Sequence, residues 1–557
     1  MIQHPLMKEK TTTFVQNLKS DLPASLVVFL VALPLCLGIG VASTEYIDPE
    51  SGVKTSDPLV GLISGIIGGI VVTIFSKSTF GVSGPAAGLI SIVVGAIAYF
   101  NDIDPVNGYS MFLVAVILSG IFQIILGALK LGKMVAFFPG SVIRGMLAAI
   151  GIIIILKQIP HAFGFDHDFE GDLAFNEPDG GNTFTHVGNV IHSLFTGSEA
   201  LTTIPSIIFI VGILLSLVWE SSWMKRLSFT KIISAPLLIV VIGGIVVFYM
   251  KGEGRPVSQD HLVSFGSKDG INGIKDVFSY FPDFSALKDP RVYLMAITLA
   301  IVASLESLLC MEATDKLDPE SRHTPPNREL FAQGIGNTIA GFLGGLPVTQ
   351  VIVRSSANLQ SGAKSKFSSL YHGIWLLLSV LLFPDIMEYV PLSALAAILI
   401  VVGYKLAKPS IFLDYWQRGW KQFLPFIVTI VCIVLTDLLI GIGVGFATSL
   451  IISLFHHEVR SFKDLREMIR GGERRTQNSE KDPSKQETAI YLYERIGFLS
   501  RANLRELSKD IEEEEVVIDL MRVKHIDADG QDTIGELEDL LERQGKHVRT
   551  HGGVLAK

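Results

Sequence analysis

Long apolar runs separated by short polar loops fill the chain as far as Phe455. They cover about 22–43, 58–75, 85–100, 110–129, 135–156, 203–219, 232–249, 292–311, 329–346, 354–361, 367–384, 391–404, 423–436 and 438–455. A helix rises 1.5 Å per residue and a bilayer core is about 30 Å thick, so most of these runs are long enough to cross a membrane. The pattern predicts an all-α polytopic membrane domain of 14 spans. Two runs fall short. The third reaches only about 23 Å and follows the stretch FGVSGPAAGLIS, residues 80–91. Proline suits the first turn of a helix, where its missing N–H would be unpaired anyway. Pro85 therefore predicts a helix that starts inside the membrane. Such an end presents free N–H groups and the positive end of the helix dipole, which suits an anion. The alternative is an ordinary span with a Gly-Pro start.

The tenth run lies in LPVTQVIVRSSANLQSG, residues 346–362. Pro347 and the β-branched Val348, Thr349, Val351, Ile352 and Val353 read as extended chain, with a short helix starting at Arg354. The fourteen runs divide seven and seven, and the two short ones fall in corresponding places. Paired short segments point to an inverted-repeat transporter with its site near the midplane, both half-helices aimed at one point.

Beyond Phe455 the pattern changes. Residues 456–487 are polar and charged and read as a linker. AIYLYERIG, EEVVIDLMRV and HVRTHGG then read as strands, separated by helices over Arg501–Asp510 and Thr533–Gln544. Strands alternating with helices predict a small α/β domain over 488–557.

Composition supports a membrane protein: 49% of 557 residues are hydrophobic, and mean hydropathy is +0.46. Soluble domains rarely sustain that balance. The net charge of −8 matters less than its distribution. Loops carrying Lys77, Lys130 and Lys133, Lys225 and Arg226, Lys364 and Lys366, and Lys405 to Lys421 fall on one side. The loops Thr44–Asp57 and His161–Glu199 fall on the other and are acidic, with Asp166, Asp168, Glu170 and Asp172. The positive-inside rule then places both termini in the cytoplasm, with residues 1–20 as a cytoplasmic N-terminal segment and 21–455 as the transmembrane domain. The first run is too long for a signal peptide and reads as a retained span. Cys36, Cys310 and Cys432 lie in apolar runs and imply no disulfide framework. Basic residues form no soluble cluster, so no nucleic-acid partner is expected. No nucleophile–base pair or metal-ligand spacing stands out, so neither an enzyme nor a metal site is expected.

Three ionisable residues inside apolar runs stand out. Arg354 at the tenth segment is expensive at that depth, by at least about 2.5 kcal/mol, and reads either as a site charge or as a snorkelling side chain. Glu306, well inside the eighth run, must be protonated or paired. It can carry a proton, hold Na⁺, or pair with Arg354. Ser304 and Ser307 flank it, and Cys310 follows one turn later on the same face. Sulfur is a poor Na⁺ ligand, which tilts the reading toward H⁺. Arg144 starts about a turn from the inner surface and reads as snorkelling. Gly61, Gly65, Gly68 and Gly69 allow close helix packing. His161 and His167 sit near carboxylates in what reads as a solvated acidic loop.

Several motifs, in order, resemble the SulP anion transporters, bacterial relatives of the animal sulfate/bicarbonate/chloride exchangers and prestin. They are DLPASLVVFLVALPLCLGIGVAS (21–43), GVSGPAAGL (81–89), FPGSVIRGMLAAIG (138–151), SLESLL (304–309), NRELFAQGIGNTIAGFLGGLP (327–347) and VIVRSSAN (351–358). VVIDLMRVKHIDADG (516–530) is similar to the STAS domain that follows the membrane domain in that family. The resemblance implies core and gate domains, an anion transport domain over 21–455 in the bacterial inner membrane, a small inorganic anion (bicarbonate or sulfate) held between half-helices three and ten, and a homodimer. It places Gly84, Pro85, Ala86 and Ala87 on one side of the anion and Ile352, Val353, Arg354 and Ser355 on the other. It makes Glu306, Ser307 and Cys310 the candidates for a coupling ion, H⁺ or Na⁺, with no other cofactor. Na⁺-coupled members tend to carry aspartate and a hydroxyl residue where this chain has Glu306 and Cys310. The related anti-sigma antagonists are phosphorylated on a serine in the tail loop, where this chain reads Asp527-Ala528-Asp529-Gly530. Against that family's tail the domain ends early, at Lys557, and is expected to be a short version lacking the last strand and helix. Secondary active transport by alternating access is the expected function. A passive chloride-like channel, a dicarboxylate transporter and a non-transporting sensor are the alternatives.

Overall fold

Every apolar run of the sequence forms a helix over most of its length. The protein is seen in a computed structural model that describes residues 5–552 apart from 45, 48–53, 56, 166–181, 197–202, 222, 225–234, 254–256, 259–260, 264–279, 321, 383–388, 437, 457–461, 479–485 and 510. His167 and the acidic residues Asp166, Asp168, Glu170 and Asp172 lie outside the described residues. Among the described residues seven helices are long and apolar enough to cross a membrane, and five shorter apolar helices accompany them.

Two units divide the chain, Met1–Gly132 with Ile150–Ala407, and Lys133–Ala149 with Lys408–Lys557. In the first, α1 (Pro5–Thr44) packs on α2 (Leu59–Ile67), which continues through a π-helical turn at Gly68–Val72. The glycines of this run serve close packing, as the sequence suggested. A Cβ at Gly61 would lie 2.0 Å from the Cys36 carbonyl oxygen, and one at Gly68 2.2 Å from that of Ser83. Then come β1 (Ser83–Pro85), a 3₁₀ turn at Ala87–Leu89, α3 (Ile90–Ile103), α4 (Gly108–Ala128), α5 (Gly140–Phe163, its residues up to Ala149 belonging to the second unit), α6 (Thr183–Thr196), α7 (Thr203–Glu220), α8 (Ala235–Gly252), α9 (Pro290–Leu317) and α10 (Pro326–Phe342). β2 (Val348–Gln350), α11 (Ile352–Gln360), α12 (Phe367–Leu382) and α13 (Leu392–Leu406) complete the unit. Exposed Ile207, Leu214 and Leu217 on α7 and Ile245 and Phe248 on α8 present hydrocarbon outward, as a lipid-facing surface does.

In the second unit α14 (Pro409–Gln417), α15 (Trp420–Leu435) and α16 (Leu438–His456) precede α17 (Phe462–Arg470) and a small α/β tail. α6 and α14 do not stand out as apolar runs. α6 carries Phe184, Val187, Val190 and Ile191 on a helical period among polar residues, and α14 is a short helix with proline at its first turn. The tail consists of β3 (Gly472–Asn478), β4 (Gln486–Leu492), α18 (Arg501–Leu507), β5 (Glu515–Asp519), α19 (Ala528–Arg543) and β6 (His547–His551). Its sheet has the order β6-β5-β4-β3, parallel except for the β3–β4 pair. Ile490, Leu492, Val516, Ile518, Ile534, Leu537 and Leu541 form its core. The stretch 456–487, expected as a linker, supplies α17 and most of β3–β4's antiparallel pair. Its charges mislead because β3 is the sheet's edge, where polar residues are normal. Within this unit the Asp529 carboxylate accepts the Gly140 N–H at the start of α5 (3.2 Å) and a Gln422 Nε2–H (2.9 Å), and Arg418 pairs with Asp532 at 3.1 Å.

Candidate functional site

Two strands of three residues cross at the centre of the first unit. β1 and β2 pair antiparallel, Ser83 opposite Gln350, Gly84 opposite Thr349 and Pro85 opposite Val348. Val351 N–H donates to the Val82 carbonyl at 2.9 Å, so the 82/351 pair is hydrogen-bonded. Antiparallel pairs alternate, which makes 85/348 a non-hydrogen-bonded pair. This explains a difference from expectation. Pro85 is not a first-turn residue but the last of β1, where its missing N–H faces away from the partner strand and costs the ladder nothing. The helix begins later, at Ala87, with Ala86 as an extended N-cap of φ −115°. On the other side α11 starts at Ile352, two residues before Arg354, after the extended Val351 of φ −110°.

Because the strands are antiparallel, the two helices leave from opposite ends of a ribbon about 10 Å long at 3.3 Å per residue. Their N-terminal ends therefore face each other across it. Neither N-cap residue supplies a side-chain hydrogen bond, so the first-turn N–H groups of both helices lack the usual cap. Ser355 is engaged structurally: its Oγ accepts the Val82 N–H (3.0 Å) and donates to the Val351 carbonyl (2.8 Å).

α9 runs along this ribbon. A Cβ at Gly88 would lie 3.3 Å from each Glu306 carboxylate oxygen, so the carboxylate abuts the start of α3's first turn. One helical turn further, the Cys310 thiol faces the Ile352 N–H at the start of α11. Between them Ser307 Oγ accepts the Gln350 N–H at 3.2 Å. The three α9 residues singled out in the sequence thus meet both helix starts and the strand between. Glu306 is buried (7% exposed), and no hydrogen bond or ion pair reaches its carboxylate among the described residues. Its pairing with Arg354, one of the three sequence alternatives, does not form.

Arg354 instead turns under the ribbon. It is wholly buried, and beyond the neighbouring Cys36 thiol its guanidinium nitrogens find no hydrogen-bond partner among the described residues. A methyl at Gly84 would sit 2.1 Å from Nη1, and the Cys36 thiol and His372 ring lie beside it. It does not snorkel. Ile352, Val353 and Ala86 bury their side chains, while Ala87 and Gly88 are half-buried. Sequence reasoning missed Gly88, Cys36, His372 and Gln333, whose Nε2 donates to Ser83 Oγ at 2.8 Å. A polar residue inside an apolar run was the available signal for His372 and Gln333. His161 is buried at the end of α5, and no metal-binding group of three ligands occurs among the described residues.

The profile of the Sulfate permease family matches residues 18–431. The chain belongs to that family. YvdB of Bacillus subtilis, named as a candidate sulfate transporter, is 28% identical over 77% of this chain and 72% of its own length. The bicarbonate transporter BicA of Picosynechococcus is 27% identical over 77% of this chain and 69% of its own length. The solved transmembrane domain of a cyanobacterial BicA superposes with a TM-score of 0.51 at 25% identity, covering 77% of this chain and 98% of that domain. The match is to transporters, and no catalytic family is indicated.

Proposed function

We propose that this protein is a secondary active transporter of a small inorganic anion, bicarbonate or sulfate, bound between the starts of α3 and α11 and coupled to H⁺ through Glu306. The observation that carries the reading is the antiparallel ribbon that turns two uncapped helix starts toward each other, with Glu306 against one and Cys310 against the other. Uncapped helix ends attract anions. Arg354 adds a full positive charge beneath the same ribbon, and a buried charge without a counter-ion among the described residues favours an anion nearby. A carboxylate beside an anion site repels its substrate until it takes up a proton, which links the two fluxes. The Cys310 thiol in place of a hard oxygen ligand argues against Na⁺. The wider reading comprises fourteen spans as a seven-plus-seven inverted repeat, a homodimer, an inner-membrane location with cytoplasmic termini, and a STAS-like tail on that side. It accords with the family, the loop charges and the α/β order of the tail.

The test is uptake of labelled bicarbonate, sulfate and a dicarboxylate by purified protein in liposomes, with Na⁺ and pH gradients imposed separately. Saturable uptake of one inorganic anion, accelerated by external acid and lost in Arg354→Ala at normal expression, is the expected result. Glu306→Gln is expected to transport without response to the pH gradient. Conductance without saturation, or a Glu306→Gln protein with unchanged pH response, would refute the coupled mechanism.

A further inference from the structure

α4 and α10 touch backbone to backbone. A Cβ at Gly120 would lie 2.5 Å from the Gly334 carbonyl oxygen, and one at Gly334 2.6 Å from that of Gly120. Such close approach is what glycine permits in a membrane. Beside this crossing sit two wholly buried amides, Gln123 on α4 and Asn337 on α10. Buried amides cost free energy unless they are hydrogen-bonded. Here they form a chain. Asn337 Oδ1 accepts the Val348 N–H at 2.5 Å, and its Nδ2 donates to the Val348 carbonyl at 2.9 Å and to Gln123 Oε1 at 2.7 Å. Gln123 Nε2 then donates to Ser304 Oγ at 3.3 Å, two residues before Glu306.

The alternation of the ladder says why Asn337 matters. Val348 belongs to the non-hydrogen-bonded pair with Pro85, so its N–H and carbonyl point away from β1, to the open edge of β2. In a larger sheet a third strand would take both groups. Here one asparagine side chain takes them, and Ser307 takes the next outward group, the Gln350 N–H. We propose that Asn337 is a positioning residue for transport: it substitutes for a third strand at β2, fixes where α11 starts four residues later, and through Gln123 and Ser304 holds that start in register with the part of α9 that carries Glu306. The inference rests on the transport reading for its kinetic consequences and on the β2 edge for its structural ones.

The test has two arms. In liposomes, with labelled sulfate or bicarbonate, whichever the wild-type protein takes up, Asn337→Ala raises the apparent KM about tenfold or more, since misplacement by about 1 Å is costly at such sites. Turnover per folded molecule, counted by size exclusion, changes far less. Gln123→Met keeps the volume and removes both of its bonds, and it raises KM about fivefold or more, since one buried hydrogen bond alone carries about that weight. A merely structural role would instead lower the folded fraction and leave KM alone, and that result overturns the proposal. In the second arm, backbone hydrogen exchange in detergent, both variants speed exchange at Val348 and at Ile352–Ser355 while Leu113–Ile117 in α4 stays protected. Unchanged exchange at β2 and α11 in Gln123→Met, and in Asn337→Ala where it folds, overturns the proposal whether or not the protein transports. Absence of uptake by the wild-type protein refutes the transport reading, and the exchange arm still decides this one.

Discussion

Replacing Gly84 with alanine separates the role of Arg354 as a charge from its role as packing. The added methyl would lie 2.1 Å from Nη1 and 3.3 Å from Cζ, against an ordinary contact of at least 3.4 Å. The guanidinium must therefore retreat by about 1.3 Å, or β1 must move, because Gly65 closes the other side at 3.5 Å. Overpacking of a filled interior costs about 1–3 kcal/mol. Arg354→Ala acts differently. It leaves a cavity, but it also removes a buried charge whose nitrogens find no partner beyond the Cys36 thiol, and the two effects oppose each other. The double variant lacks the clash altogether. The expectation is therefore a non-additive cycle: Gly84→Ala lowers the thermal midpoint in detergent, and Arg354→Ala in the same chain restores most of it, with a coupling of about 1–3 kcal/mol. Uptake behaves oppositely. Both single variants lose high-affinity uptake, and the double variant does not regain it, because the charge is gone. Thermal midpoints followed by intrinsic fluorescence, paired with liposome uptake, decide the matter. Additive destabilisation would refute the packing argument, and full uptake by the double variant would refute the role of the charge.

In the tail, Asp529→Ala removes the acceptor for the Gly140 N–H and for Gln422. Faster hydrogen exchange at Gly140–Arg144 is the expected outcome, with a loss of about 1 kcal/mol as for a missing helix cap; equal exchange rates would count against it. The hydroxyl of Thr488, 2.5 Å from Glu513, holds that carboxylate below its ordinary value of 4.5, with smaller help from Thr476 and Arg474. A depressed carboxylate contributes stability that is complete above the unfolded value and is lost as pH falls through the folded one. Protease resistance of the β3–β4 pair is thus expected to decline only below about pH 4.5. Glu513→Gln should flatten that decline, and an unaltered acid profile would argue against it. Uptake by Glu306→Gln, described above, completes the set.

How much of this was legible in the sequence depends on the range of the interaction. Helix positions follow from runs of apolar residues, a local signal, and they agree with the runs to within a few residues at most ends. The two special segments were also visible, because Pro85 and the β-branched stretch from Val348 break the apolar pattern locally. Their conformation was harder to read. Gly-Pro before an apolar run looks like a helix start. What makes it a strand is a partner 263 positions away in register, Val348 against Pro85, and no local propensity carries that information. The same holds for Arg354 and Glu306. Depth in the membrane was readable, and so was the suspicion that each mattered. Which way each side chain turns was set by Gly84 and Gly65 on one side and Gly88 on the other, where a missing Cβ leaves room for a charged group. Glycines in an apolar run read as packing, and here several of them also decide where charge can go.

That placement bears on mechanism. If Glu306 and Arg354 were paired, each would neutralise the other, and the site would have no reason to bind an anion or to respond to protons. Separate placement on the two sides of a ribbon two strands wide and three residues long keeps both groups available. One faces the half-buried Ala87 and Gly88, where a proton and an anion can arrive together. In the proposed mechanism the other, beneath the strands, acts through them on the anion at the helix starts. The ribbon must then be held still, since a shift of about 1 Å changes both interactions at once. Its open edge is held by Asn337 and Ser307, its other strand by Gln333 at Ser83, and its helix start by Ser355. None of these side chains carries a charge: Asn337 and Gln333 stand on α10, Ser307 on α9 and Ser355 on α11, the ribbon's own continuation. Loss of any one should therefore weaken anion binding before it weakens the fold, and the KM of Asn337→Ala is where that ordering is most exposed to refutation.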